Sequence, residues 1–306
     1  MAKPKIAALI TASGGIGSHL ILHKMQGHPD ICTLKESAFR SMGGTTKGHL
    51  KKYLSQGDWP HKMSQEQLLP KKHMRSSKWM VLNKPPLKMI NYHRTFHPEL
   101  PVLYIFRNPV ALYYTWVKKW KEYGERRYGR VVSDQVVFEW FKSTYMSSLF
   151  ELAQVFNPKT DHIISFEHFV ADIDSGLERV FKCLDVPVVK NEDLKTLDVC
   201  ATCGTEKVTR KKITVRGERV EEVLHCERHG PSLGPGEYNY IRKEDSSFLN
   251  KWKNKDDVVE VSKRFSKIFG LDFISYYADE RYITDTDRSE FDSLMNNFLT
   301  GLKIEV

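Results

Sequence analysis

Cysteine is scarce, with five in 306 residues. A small, odd number excludes a disulfide-stapled scaffold and leaves core packing to hold the chain together. Long apolar runs are missing too. None approaches the ~20 residues of a membrane-crossing helix. The N-terminal "MAKPKIAALIT" carries too short an apolar stretch for a secretory leader. The expectation is a cytoplasmic protein with no membrane association. Acidic residues are in deficit, 38 against 47 basic ones, for a net charge of +9. That surplus suits either a solvated basic surface or a polyanionic partner such as a phosphorylated cofactor, an acidic substrate or nucleic acid. Internal repeats and low-complexity tracts are absent, which excludes a solenoid.

What is present is alternation. Short β-rich runs at 6–11, 31–34, 79–82, 102–106 and 162–166 alternate with helical patterns at 18–26, 87–95, 109–121, 133–156 and 167–183. This rhythm predicts an α/β fold, a mostly parallel central sheet with helices on both faces. Ligands of such sheets sit at the carboxyl ends of the strands. The rhythm breaks between 190 and 245. The expected organisation is an α/β domain from 1–190 and 240–306 with an insertion at 195–235. Residues 40–78 are polar and basic and read as a long loop with short helices, of the length that lids and substrate-facing segments have.

One absence is local. In "IAALITASGGIGSHLIL" (6–22) a strand meets a glycine turn and then a helix, yet the turn holds no lysine. Nucleotide hydrolases end the same turn in Gly-Lys-Ser/Thr. Gly14, Gly15 and Gly17 let backbone N–H groups approach an anion, and a helix starting near Ser18 points its positive end there. A tight turn with no ligand fits the same residues. A second element is more particular. In "LYIFRNPVALYYTW" (103–116), Arg107 ends a strand and Pro109 opens a helix at its favoured first position. Thr115 follows two helical turns on. An Arg and a hydroxyl so placed can grip a phosphate; the alternative is an Arg paired with a surface acid.

These stretches resemble the sulfotransferases that use 3′-phosphoadenosine-5′-phosphosulfate (PAPS), with motifs nearest to tyrosylprotein sulfotransferases and heparan sulfate N-sulfotransferase domains. "GGIGSHL" followed by "HPD" (His28–Asp30) matches the family's loop and its later His-Pro-Asp. Arg107 and Thr115 match its 3′-phosphate-binding pair. "HIISFEHF" (162–169) resembles its later strand ending in Tyr/Phe-Glu, and "FLNKWKNKDDVVEVSKRFSKIFG" its C-terminal Leu-x-Lys-Trp segment. The likeness covers about 4–36, 79–185 and 246–275. It implies a P-loop-like sulfotransferase fold, with PAPS bound by Gly14, Gly15, Ile16, Gly17, Ser18, His19, Arg107 and Thr115. The spent cofactor would be adenosine 3′,5′-bisphosphate (PAP).

The family's loop cation falls on Gly15, so something must replace it. "VLNKPP" (81–86) resembles the Asn-Lys-Asp-Pro of the tyrosylprotein enzymes and offers Lys84. His19 is a second candidate, and a packing or surface histidine is its plain alternative. "LKESAF" (34–39) resembles the Lys-Glu-x-x-Phe of the N-sulfotransferases, and Glu36 matches their catalytic base. A solvated Lys-Glu pair is the plain reading there. The resemblance implies in-line transfer, with Glu36 taking the acceptor's proton. The acceptor is a small molecule, a carbohydrate or a peptide. Basic runs at 40–78 and 117–130 suit an anionic one and suit a solvated surface equally. No segment specifies an oligomeric state.

The insertion carries its own pattern. Cys200-x-x-Cys203 and Cys226-x-x-His229 are separated by 22 residues, with two strands predicted around a turn at 216–218. Two knuckles and a hairpin suggest a zinc ribbon with a closed, structural Cys₃His site. A redox Cys-x-x-Cys and unrelated loop cysteines are the alternatives. Two other functions compete for the whole chain. A P-loop kinase would need the missing loop lysine and a magnesium-holding aspartate. Nucleic-acid binding through the basic hairpin "TRKKITVRGER" (209–219) would be strongly salt-dependent. The zinc reading predicts about one zinc per chain by elemental analysis, lost in Cys203→Ser; folded, metal-free protein would refute it.

Overall fold

A computed structural model describes residues 5–12, 16–34, 78–83, 87, 90–91, 94, 98–129, 132–194, 208–215, 219–227, 230–232, 251–270 and 285–304. The strands are β1 (Lys5–Thr11), β2 (Ile31–Leu34), β3 (Trp79–Asn83), β4 (Val102–Phe106) and β5 (His162–Ser165), in sheet order β2-β3-β1-β4-β5. Contacts divide the chain into two units. One comprises Met1–Ile10, Ser18–Leu103 and Leu177–Arg242, and the other Thr11–Gly17, Tyr104–Gly176 and Lys243–Val306.

In the first unit β3 pairs in parallel with β1, Lys5 opposite Trp79, and with β2, Ile31 opposite Trp79. The parallel sheet expected from the alternation is present in these three strands. The N–H of Ala8 donates to the Pro101 carbonyl at 3.1 Å, tying β1 to the start of β4. Helix α1 (Ser18–Gln26) lies where the apolar spacing places it and buries Leu20, Ile21, Leu22 and Met25. The turn after it is pinned by His28. This buried ring accepts the Asp30 N–H at Nδ1 (3.0 Å) and lies 2.8 Å from the Pro187 carbonyl through Nε2. The first bond requires an unprotonated Nδ1, which makes Nε2 the donor. Phe181 packs against the ring, with centroids 4.6 Å apart.

In the second unit, helix α2 (Pro109–Tyr128) starts as expected but runs beyond residue 121. Asn108 caps it by accepting the Val110 N–H at 2.9 Å, and Gly129, at φ 59°, ends it by donating to Glu125. The cap, rather than the loss of apolar periodicity after 120, sets its length. Helix α3 (Asp134–Val155), capped by Ser133, buries Val137, Phe138, Phe141, Tyr145, Leu149 and Leu152 at helical spacing. The helix expected over 167–183 is two: α4 (Phe166–Ala171) and α5 (Ile173–Cys183). Asp172 leaves helical geometry between them, and its Oδ1 accepts the Ser175 N–H at 3.1 Å. A short polar side chain here competes with the helical backbone. Helices α6 (Val258–Phe269) and α7 (Asp285–Ile304) close the chain. Tyr113, Phe138, Phe141 and Phe265 form an aromatic cluster, with Phe138 and Phe265 centroids 5.1 Å apart.

Residues 208–232 contain β6 (Val208–Val215), β7 (Arg219–Cys226) and β8 (Gly230–Ser232), an antiparallel sheet in order β6-β7-β8. The predicted hairpin is therefore present. Cys200, Cys203 and His229 lie outside the described residues, and of Cys226 only the backbone is described. No described helix is long and apolar enough to cross a membrane.

The turn after α1 yields a prediction. His28→Ala loses a buried ring and two hydrogen bonds and should lower unfolding free energy by about 2–4 kcal/mol. Denaturant titration measures it, and a loss below about 0.5 kcal/mol would contradict the role given to His28.

Candidate anion-binding site

Gly17 precedes the first residue of α1. Its φ of 98° is a conformation that L side chains rarely adopt. A Cβ added there would lie 2.0 Å from Cε2 of Phe166, so the position must be glycine on two counts. Ile16, next to it, buries its side chain completely and offers a ligand only its backbone. Ser18 begins α1 and is buried, at 4% exposure. His19 lies in the first turn of α1; its side chain is not described. Gly14, Gly15, Glu36 and Lys84 lie outside the described residues.

Arg107 leaves the end of β4, and its side chain keeps only 11% exposure. The guanidinium carbon stands 5.1 Å from the centroid of the Phe166 ring, within range of a cation–π contact. Arg107 Nε is 3.9 Å from Oε1 of Glu167. That same oxygen accepts the Asn108 N–H at 3.0 Å. Asn108 is fully buried, and among the described residues its Nδ2 finds no hydrogen-bond acceptor. Immediately beyond it begins the 20-residue helix α2, with no acid in its first turn. Cation, helix N-terminus and buried amide donor thus converge in sequence at 107–109. This is an environment that favours an anion.

Thr115 lies on α2 with an exposed side chain, and its hydroxyl donates to the Ala111 carbonyl at 3.1 Å. Donation to a phosphate would require the hydroxyl to turn away from that carbonyl. Burial shifts both members of the ion pair. It lowers Arg107, with Glu167 acting in opposition, and raises Glu167, with Arg107 and the Asn108 N–H acting in opposition. Arg107 keeps its charge at any physiological pH.

Two residues outside the sequence-derived candidates therefore belong to the site, Phe166 and Glu167. The "FEHF" signal was visible, but nothing local couples it to Asn108, 59 residues away.

No protein-family model matches the chain, and no curated protein does. Among the solved structures to which it is similar are three sulfotransferases. One is the sulfotransferase from Alicyclobacillus acidocaldarius, at 15% identity and TM-score 0.42, covering 61% of this chain and 83% of that one. Another is the sulfotransferase domain from the curacin biosynthetic pathway, at 12% and 0.45, covering 87% and 99%. The third is the sulfotransferase domain from the Synechococcus PCC 7002 olefin synthase, at 15% and 0.42, covering 87% and 96%. At these identities and TM-scores, function has to be argued from this chain's own residues.

Glu167 titrates in a direction that can be checked. Its folded value lies above the ordinary 4.5, so its contribution to stability is present below that value and is lost as pH rises through the folded one. The difference in unfolding free energy, wild type minus Glu167→Gln, should therefore fall as pH rises from about 4.5. A difference that is flat or grows would contradict the dominance of burial.

Proposed function

We propose that this chain is a PAPS-dependent sulfotransferase that moves a sulfuryl group to a hydroxyl or amine acceptor. The observation that carries the reading is Arg107, largely shielded from solvent at the end of β4 beside Glu167 and directly ahead of the capped N-terminus of α2. A buried guanidinium there suits a phosphate dianion, which a forked donor can bind at two oxygens. The residues fit PAPS in kind: Arg107 and Thr115 for the 3′-phosphate, and the backbone of Gly14–Gly17 with Ser18 and His19 for the 5′-phosphosulfate. The positive φ of Gly17 is what a loop needs to turn its N–H groups toward a ligand.

In the proposed reaction the acceptor attacks sulfur in line with the leaving phosphate. A bond forms from the acceptor oxygen or nitrogen to sulfur, and the bond from sulfur to the phosphate oxygen breaks. Glu36 receives the acceptor's proton, and adenosine 3′,5′-bisphosphate departs. Lys84, Ser18 and the loop N–H groups stabilise charge on the sulfuryl oxygens and the leaving group. His19 is a second cation for that role. The zinc site belongs to the proposal as a structural element, held by Cys200, Cys203, Cys226 and His229. Of these four residues the structure describes only the backbone of Cys226, which stands opposite Gly230 in the β7–β8 pairing.

Two variants test the assignment. Arg107→Ala should weaken adenosine 3′,5′-bisphosphate binding by roughly 30-fold, about 2 kcal/mol, as read by calorimetry. Glu36→Gln should abolish turnover and leave that affinity intact. Unchanged affinity in the first, or wild-type turnover in the second, would refute the corresponding role.

A further inference from the structure

Phe166 stands at the meeting point of the two elements assigned to the two ends of the ligand. Its ring fills the space beside Gly17, where a Cβ would lie 2.0, 2.4 and 2.7 Å from Cε2, Cδ2 and Cζ. The same ring faces the Arg107 guanidinium at 5.1 Å. The residue is buried, at 4% exposure, so the ring has no solvent side to swing into. Its backbone is held as well. Phe166 opens α4, whose cap Ser165 accepts the His168 N–H at 3.4 Å. The next residue, Glu167, holds the Asn108 N–H and stands beside Arg107. One turn of chain therefore touches the glycine loop on one side and the arginine and helix cap on the other.

Close-packed contacts transmit displacement because neighbours have no slack to absorb it. A shift of the Gly17 backbone into the ring can be accommodated only by moving Phe166, and Phe166 cannot move without changing the surface under Arg107. We infer that Phe166 is a positioning residue that couples the Gly17 loop to Arg107, so that a ligand with an anion at each end binds both elements cooperatively. The identity of that ligand rests on the sulfotransferase reading; the coupling does not. A nucleotide with one phosphate engages one element and must still order the other, whereas a bisphosphate engages a pair that is already aligned. Phe166 thereby favours PAPS and its product over nucleotides lacking the 3′-phosphate.

The test has a ligand arm and a ligand-free arm. Adenosine 3′,5′-bisphosphate, adenosine 5′-monophosphate and adenosine 3′-monophosphate are titrated into wild type and Phe166→Leu, with Phe166→Met as the variant whose longer, unbranched side chain better preserves reach. The bisphosphate should lose roughly tenfold and each monophosphate less than about threefold. Equal losses on all three, or none, would overturn the coupling, since a purely structural ring affects every ligand alike. The second arm is a double-mutant cycle in unfolding free energy with Gly17→Ala. Alanine should be tolerated better in the Phe166→Leu background, because the shorter side chain relieves the contact. Additive effects would overturn the coupling even if the bisphosphate binds tightly, and would leave the sulfotransferase reading standing. A non-additive cycle in a protein that binds none of the nucleotides would remove that reading, and with it the selectivity assigned to Phe166.

Discussion

The near-complete shielding of Arg107 from water is the constraint around which the described site is organised. A guanidinium taken out of water needs a partner or a ligand, because an uncompensated buried charge costs several kcal/mol. Glu167 supplies the partner, and the Asn108 N–H and the N-terminus of α2 supply the polar surroundings. The pair cannot form unless α4 starts immediately after β5 and its first turn comes to the end of β4. The ion pair and the Asn108–Glu167 hydrogen bond thus join two segments that lie about sixty residues apart. The arrangement is also suited to exchange. Burial holds Glu167 above its ordinary value, so the pair is electrostatically costly at neutral pH. A phosphate arriving at Arg107 brings more negative charge and more acceptor atoms than the single carboxylate oxygen 3.9 Å away.

The elements legible in the sequence were those with local causes. Helix α1 and its glycine turn, the Pro109 start of α2, the apolar repeat of α3 and the β6–β7 hairpin follow from periodicity, proline chemistry and turn spacing. The errors have local causes that pattern reading underweighted. Helix α2 continues through "KEYGERRY" because nothing stops it before the left-handed Gly129, although its apolar stripe has ended. The expected helix at 167–183 breaks at Asp172, whose carboxylate caps the next helix instead. Phe166 reads as the last residue of a strand, yet Ser165 caps a helix that begins with it.

The site was legible in part. Arg107, Asn108 and Pro109 announce themselves as strand end, cap and helix start. Phe166 and Glu167 do not, because their partners are set by tertiary packing and no periodicity connects them. The glycine loop shows the same division. Its composition is plain in the sequence, but of the two reasons Gly17 must be glycine, the positive φ and the Phe166 ring, only the fold shows either. Ile16, one of the loop residues matched to the cofactor, spends its side chain on the core and can contribute only backbone.

The central claim is that this chain binds a nucleotide bearing phosphate at both the 3′ and 5′ positions. Calorimetric titration of the wild-type protein with adenosine 3′,5′-bisphosphate, beside ATP with magnesium, tests it most directly. Tight binding of the bisphosphate at one site per chain, unaffected by magnesium, is the expected result. No binding, or a preference for ATP with magnesium, would contradict it and return the loop without a lysine to being a tight turn in a chain of another activity.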